Sequence, residues 1–107
     1  MSDKEDEAYL LAPISAGNLI REERKRQDKK WGFQNHNLFE WLAILMEEVG
    51  ELSQAGLECR RTIKPATFIE QEAVHVAAVA FAILEQIERN RLLEKPMEAI
   101  VKMPEGR

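Results

Sequence analysis

Asn37-Leu38-Phe39-Glu40-Trp41-Leu42-Ala43-Ile44-Leu45-Met46-Glu47-Glu48-Val49-Gly50-Glu51-Leu52 is the stretch whose reading decides the fold. It opens on Asn37, a residue type that caps helices through its side-chain oxygen. Glu40 follows three positions on, where it can return a hydrogen bond to the cap. Apolar side chains then fill nearly every side of the coil: Phe39, Trp41, Leu42, Ile44, Leu45, Met46, Val49 and Leu52. The spacing predicts a helix to about Arg60, with Pro65 closing the connection.

Downstream, Thr67 and Glu70 read as a second capping box. The helix they open carries Ile69, Ala73, Val74, Val76, Val79, Phe81, Ile83, Leu84 and Ile87 and ends near Asn90. Val76 to Leu84 holds no polar residue; its β-branched content suits a strand, but length and caps favour a helix. Upstream, Ser15 or Asn18 caps a first helix through about Lys30, whose mixed charges read as a solvated face. Residues 1–14 read as a loose, charged lead-in ending near Pro13. Trp31 to His36 reads as a loop, and Pro96 starts a short segment through Val101.

The expected fold is therefore all-α: an antiparallel helical bundle of three main helices plus a short C-terminal segment, one domain over residues 1–107. The second and third helices are apolar around most of their circumference, and such helices must be buried. A chain of 107 residues has few other elements to cover them. Homo-oligomerisation, as a homodimer or homotetramer, is expected to complete the core.

A formal charge of −4 argues against a nucleic-acid partner, which normally meets a basic face. It does not exclude a phosphate substrate, because a bound divalent cation reverses the local sign. One cysteine, Cys59, excludes an intrachain disulfide framework. The acidic start Met1-Ser2-Asp3-Lys4-Glu5-Asp6-Glu7 lacks the pattern of a signal peptide. The apolar run Val76 to Leu84 falls short of the roughly 20 residues of a membrane span. A cytoplasmic location and no membrane partner are the expectation.

Some carboxylates do not fit the packing. No Lys or Arg lies between Lys30 and Arg60, an interval holding Glu40, Glu47, Glu48, Glu51 and Glu58. None lies between Lys64 and Arg89, where Glu70, Glu72, Glu85 and Glu88 stand and His75 edges the apolar run. The usual companion of a helical Glu is a cation three or four residues away. Glu48 and Glu51 share one helix face, as do Glu72 and His75, and an antiparallel hairpin can turn the two pairs toward each other. Four such ligands make a cation site. Without an ion they would be like charges in a partly dry place, at a cost of several kcal/mol per buried ion. Gly50, inside the cluster, leaves room for a close helix or a bulky ligand.

Lys30-Trp31-Gly32-Phe33-Gln34-Asn35-His36, then Trp41 and Leu45-Met46-Glu47-Glu48-Val49-Gly50-Glu51-Leu52, resemble the MazG-like all-α nucleotide pyrophosphohydrolases, over roughly residues 20 to 90. The family pattern is E-E-x-x-E on one helix and E-x-x-D on the next. Glu47, Glu48 and Glu51 match the first half and Glu72 the start of the second. His75 stands where the family has Asp. The resemblance implies a metal-dependent hydrolase converting an NTP or dNTP and water into the monophosphate and pyrophosphate. Glu48, Glu51, Glu72 and His75 would hold Mg²⁺, with Mn²⁺ favoured by the imidazole. Glu47 would orient or deprotonate the water, or help hold a second ion. Trp31 and His36 would contact the base, and Lys30, Lys29 or Arg24 the outer phosphates. Two other classes share parts of this pattern. A di-iron carboxylate protein uses Glu-x-x-His on bundle helices but needs a second copy of it. A non-catalytic helical dimer acting as a binding or regulatory module needs none of the four ligands.

Overall fold

The computed structural model describes residues 2–61 and 64–102. It is all-α: α1 spans Asp3–Trp31, α2 Leu38–Arg60 and α3 Thr67–Leu92, followed by a 3-10 turn at Met97–Ile100. α3 packs on both α2 and α1, and the 3-10 turn folds back onto it.

α2 starts as its sequence dictates. The Asn37 side chain accepts the Glu40 N–H at 2.9 Å, and the Glu40 carboxylate accepts the Asn37 N–H at 3.1 Å. α3 departs from expectation. Its N-cap is Ala66, with no side-chain cap bond, and Thr67 is already inside the helix. The N–H groups of Phe68 and Ile69 instead bond the Pro65 and Ala66 carbonyls, at 3.1 and 3.0 Å. A tightened turn set by Pro65 thus replaces the side-chain cap.

The loose lead-in also gives way to helix. Ser2 caps α1 by accepting the Glu5 N–H at 3.1 Å, and Asp3, Glu5 and Asp6 place negative charge in the first turn, where the helix dipole favours it. Pro13 lies inside the helix. It removes one backbone donor, and the helix continues through it because water can serve the freed carbonyl on an exposed face. Residues 2–16 are all exposed, so this half of α1 projects from the core that the described residues form. The radius of gyration of 17.2 Å reflects that projection; a compact chain of this length would have about 13 Å.

The core is small: Trp41, Val79, Ala82 and Ile100, flanked by Leu38, Ile44, Leu45, Ile83 and Ile87. Phe39, Leu42, Met46, Phe81, Leu84 and Leu92 remain exposed. As expected from their composition, α2 and α3 keep apolar side chains that the described residues do not cover. α3 is also the one helix among the described residues long and apolar enough to cross a membrane. The run Val76 to Leu84 understates this, because Phe68, Ile69, Ala73 and Val74 raise the mean hydropathy upstream of it despite Glu70, Gln71, Glu72 and His75. Its polar side chains Glu72, His75, Glu85 and Gln86 are engaged with groups of the same chain.

Candidate metal centre

Three residues per step on a helix returns a side chain to nearly the same face. On α2 that brings Glu48 and Glu51 together, and on α3 Glu72 and His75. The packing of α2 on α3 then turns the pairs inward, and one ligand atom from each of the four lies within 4.8 Å of the others. Nδ1 of His75 is 3.3 Å from the Glu72 carboxylate and 3.8 Å from that of Glu48. Glu51 is the exposed member; the other three are half-buried.

Charge balance marks this cluster out. Elsewhere the cations missing from the local sequence arrive through the fold. Arg24 of α1 reaches Glu85 of α3, and Lys64 meets Glu58 at 2.9 Å. Among the described residues, Glu48 and Glu72 instead receive only the imidazole of His75 in ion-pair range. Glu48 Oε2 is buried and has no hydrogen-bond partner among the described residues. Burial pushes the Glu48 carboxyl above the usual carboxylate range, and Glu51 and Glu72 push it further, against a smaller pull from His75. An orphaned, half-dry carboxylate oxygen facing two more carboxylates and an imidazole is a donor set that fits a divalent ion.

Three of the four donors open onto a cleft of about 490 Å³ between the helices, and Glu72 stands behind them, outside its lining; the volume is within the usual 300–1,000 Å³ of small-molecule sites. Glu48, Glu51 and His75 form one wall; Trp31, His36, Trp41 and Arg26 are among the residues that line the rest. The aromatic wall is held by Gln86, which is buried. Its Oε1 accepts the Trp41 indole N–H at 2.9 Å and the His36 backbone N–H at 2.8 Å, and its Nε2 donates to the His36 carbonyl at 2.6 Å. His36 and Trp41 meet edge to face at 4.7 Å. A wider concavity of about 780 Å³ lies between α1 and the start of α3, and Glu23, Arg26 and His75 border both spaces.

Of the residues singled out in the sequence, Glu48, Glu51, Glu72 and His75 are brought together, and Trp31 and His36 line the same cleft. Glu47 is not among them. A step of one residue turns it about 100° from Glu48, and it is exposed and outside both the cluster and the cleft lining. Lys30 lies outside the lining as well, its ammonium 4.6 Å from the Trp31 ring centre. Lys29 is exposed. Arg24 is committed to Glu85 and Asp28, which makes it a tie between α1 and α3 rather than a phosphate ligand. Gly50 is not a close-approach position: a methyl group there would meet nothing within 4 Å. Three contributors escape the sequence reading, namely Glu23, Arg26 and Gln86. The first two look like solvated helix surface, and Gln86 carries no motif.

No protein-family model, no curated protein and no solved structure significantly matches the chain.

Proposed function

We propose that the chain is a divalent-cation-dependent nucleoside triphosphate pyrophosphohydrolase, as its resemblance to the MazG-like enzymes implies. The observation that carries this reading is the convergence of Glu48, Glu51, Glu72 and His75, with an unpartnered buried oxygen on Glu48, at the wall of a cleft whose other wall is aromatic. A divalent ion held there, Mg²⁺ or Mn²⁺, supplies charge neutralisation for a triphosphate. The chain itself supplies position. Trp31, half-exposed at the cleft mouth, offers a stacking face for a base, and His36 beside Trp41 offers a hydrogen-bonding edge. Arg26 is the cation on the cleft lining; two of its nitrogens hold Glu23, and a phosphate oxygen would draw on its remaining N–H groups. With Glu47 and Lys30 lying outside the cleft, the reading rests on the four donors and these three. The exposed apolar faces of α2 and α3 support self-association as a homodimer or homotetramer.

The test is pyrophosphate release from a panel of NTPs and dNTPs with Mg²⁺ or Mn²⁺. Wild type should release pyrophosphate, and Glu48→Gln should not. Unchanged turnover in Glu48→Gln would remove the metal assignment. His75→Asp should raise Mg²⁺-supported activity relative to Mn²⁺, because oxygen donors suit Mg²⁺ better than nitrogen.

A further inference from the structure

Glu23 sits in a run of charged residues on α1, yet its side chain is 10 % exposed, against 72 % for its neighbour Glu22. Arg26 grips its carboxylate with two prongs, Nε to Oε1 at 2.8 Å and Nη2 to Oε2 at 2.6 Å, and the Gln27 amide donates to Oε2 at 3.3 Å. The same Oε2 lies 3.8 Å from Nε2 of His75. The other ring nitrogen, Nδ1, faces Glu72 and Glu48. The imidazole therefore stands between a carboxylate of α1 and the cluster built by α2 and α3. A neutral imidazole carries its proton on one nitrogen and its lone pair on the other, and the partner of one nitrogen decides the role of the second.

We propose that Glu23 is a positioning residue for the cation site: it accepts the Nε2 proton of His75, so that Nδ1 presents its lone pair to an ion shared with Glu48, Glu51 and Glu72. This rests on the cation reading given above and adds to it a residue from a third helix. A carboxylate behind a ligating histidine fixes the tautomer and the ring plane and raises the basicity of the donor nitrogen. Closing the 3.8 Å gap to a hydrogen bond of about 2.9 Å requires a movement of under about 1 Å. Arg26 bonds both oxygens of the carboxylate and Gln27 bonds Oε2, the one nearest the ring, which together fix its position beside His75. Where an Asp at position 75 would bring its own negative charge, the neutral imidazole brings none. Glu23 returns a carboxylate to the site one layer out.

The experiment is calorimetric titration of Mn²⁺ alone into the full chain, comparing wild type, Glu23→Leu, Glu23→Gln, His75→Asp and the Glu23→Leu/His75→Asp pair. Glu23→Leu should weaken Mn²⁺ binding about 10- to 100-fold, and Glu23→Gln, which keeps an acceptor, by less. Should Glu23→Leu fail to fold, the Gln variant carries the comparison. With His75→Asp there is no ring to orient, and Glu23→Leu should then change affinity by less than about twofold. Equal losses in both backgrounds would mean that Glu23 acts on the scaffold, which overturns the proposal. Wild-type uptake that Glu23→Leu leaves unchanged also overturns it, while absent uptake by wild type overturns the cation reading itself. With diamagnetic Zn²⁺ bound, ¹⁵N NMR should show the proton of His75 on Nε2; a proton on Nδ1 sinks the idea.

Discussion

Two glutamates of α3 teach opposite lessons. Glu85 and Glu72 are separated by about 20 Å along the helix axis, and both stand at packed faces. Glu85 is met by the guanidinium of Arg24, itself bonded to Gln27 at 2.8 Å and Asp28 at 2.9 Å. Next to it, Gln86 has its amide oxygen and nitrogen both engaged. At that end the protein supplies donors and acceptors in matched numbers. At the other end, Glu72 faces His75, Glu48 and Glu51, and one oxygen of Glu48 has no hydrogen-bond partner among the described residues. Arginine reaches Glu85 from another helix, whereas the ion-pair partner of Glu72 among the described residues is His75. Matched charges hold helices together; the unmatched set in the same chain is what the proposed cation site rests on.

The strongest test removes the unmatched oxygen. Glu48→Gln should lower pyrophosphate release by more than the roughly 10- to 100-fold that outer-shell changes cost, read by a coupled phosphate assay. At the matched end the expected effect falls on stability. Gln86→Leu strands the Trp41 indole N–H together with the N–H and carbonyl of His36, and should cost about 3 kcal/mol, a fall in Tm of roughly 10–20 °C. A smaller fall would mean that water replaces the amide and that the two ends are less distinct than drawn. Arg24→Met should cost about 1 kcal/mol in urea unfolding, because Glu85 is partly exposed and water compensates it. Gly50→Ala should stabilise α2 by about 1 kcal/mol, since the added methyl meets open space within this chain. Loss of assembly in that variant, seen by light scattering, would place a second copy against the glycine.

The ion-free protein gives the contrast a pH signature. The Glu48 carboxyl is raised by burial and then by Glu51 and Glu72, against His75, so its protonated form is favoured on folding. Its stabilising contribution is full below the ordinary Glu value of about 4.3 and is lost as pH rises through the raised value. Glu48→Gln should therefore raise the Tm of the metal-free chain at pH 7, and the gain should vanish below pH of about 4. Glu23 runs the other way. The hydrogen bond from Arg26 holds its carboxyl below the usual range, so its contribution is present at neutral pH and fades as acid protonates it.

The sequence makes α2 and the four ligands readable for the same reason. A cap and an i,i+3 spacing are local, and a helix converts them into shared faces without help from the rest of the fold. Glu23 is unreadable because Arg26, three residues on, is what an ordinary solvated helix would also show; only the docking of α1 against α3 buries the pair. The S/T-x-x-E pattern misleads in both directions. At Thr67 it lies inside a helix already begun by the turn after Pro65, whereas at Ser2 it caps a helix in the stretch expected to be a loose lead-in. Arg24 could equally serve a substrate or a partner helix, and only the third dimension assigns it to Glu85.

The bonds between Gln86 and His36 carry one more consequence. By donating to the carbonyl and accepting from the N–H of one residue, a side-chain amide imitates the peptide group of a neighbouring β-strand. The extended segment before α2 is thus paired as a sheet edge would be, while α3 remains a helix. Such mimicry depends on reach. Asn at this position, one methylene shorter, would keep the chemistry and miss the rung, so the length of one side chain fixes the register of a turn fifty residues away in sequence.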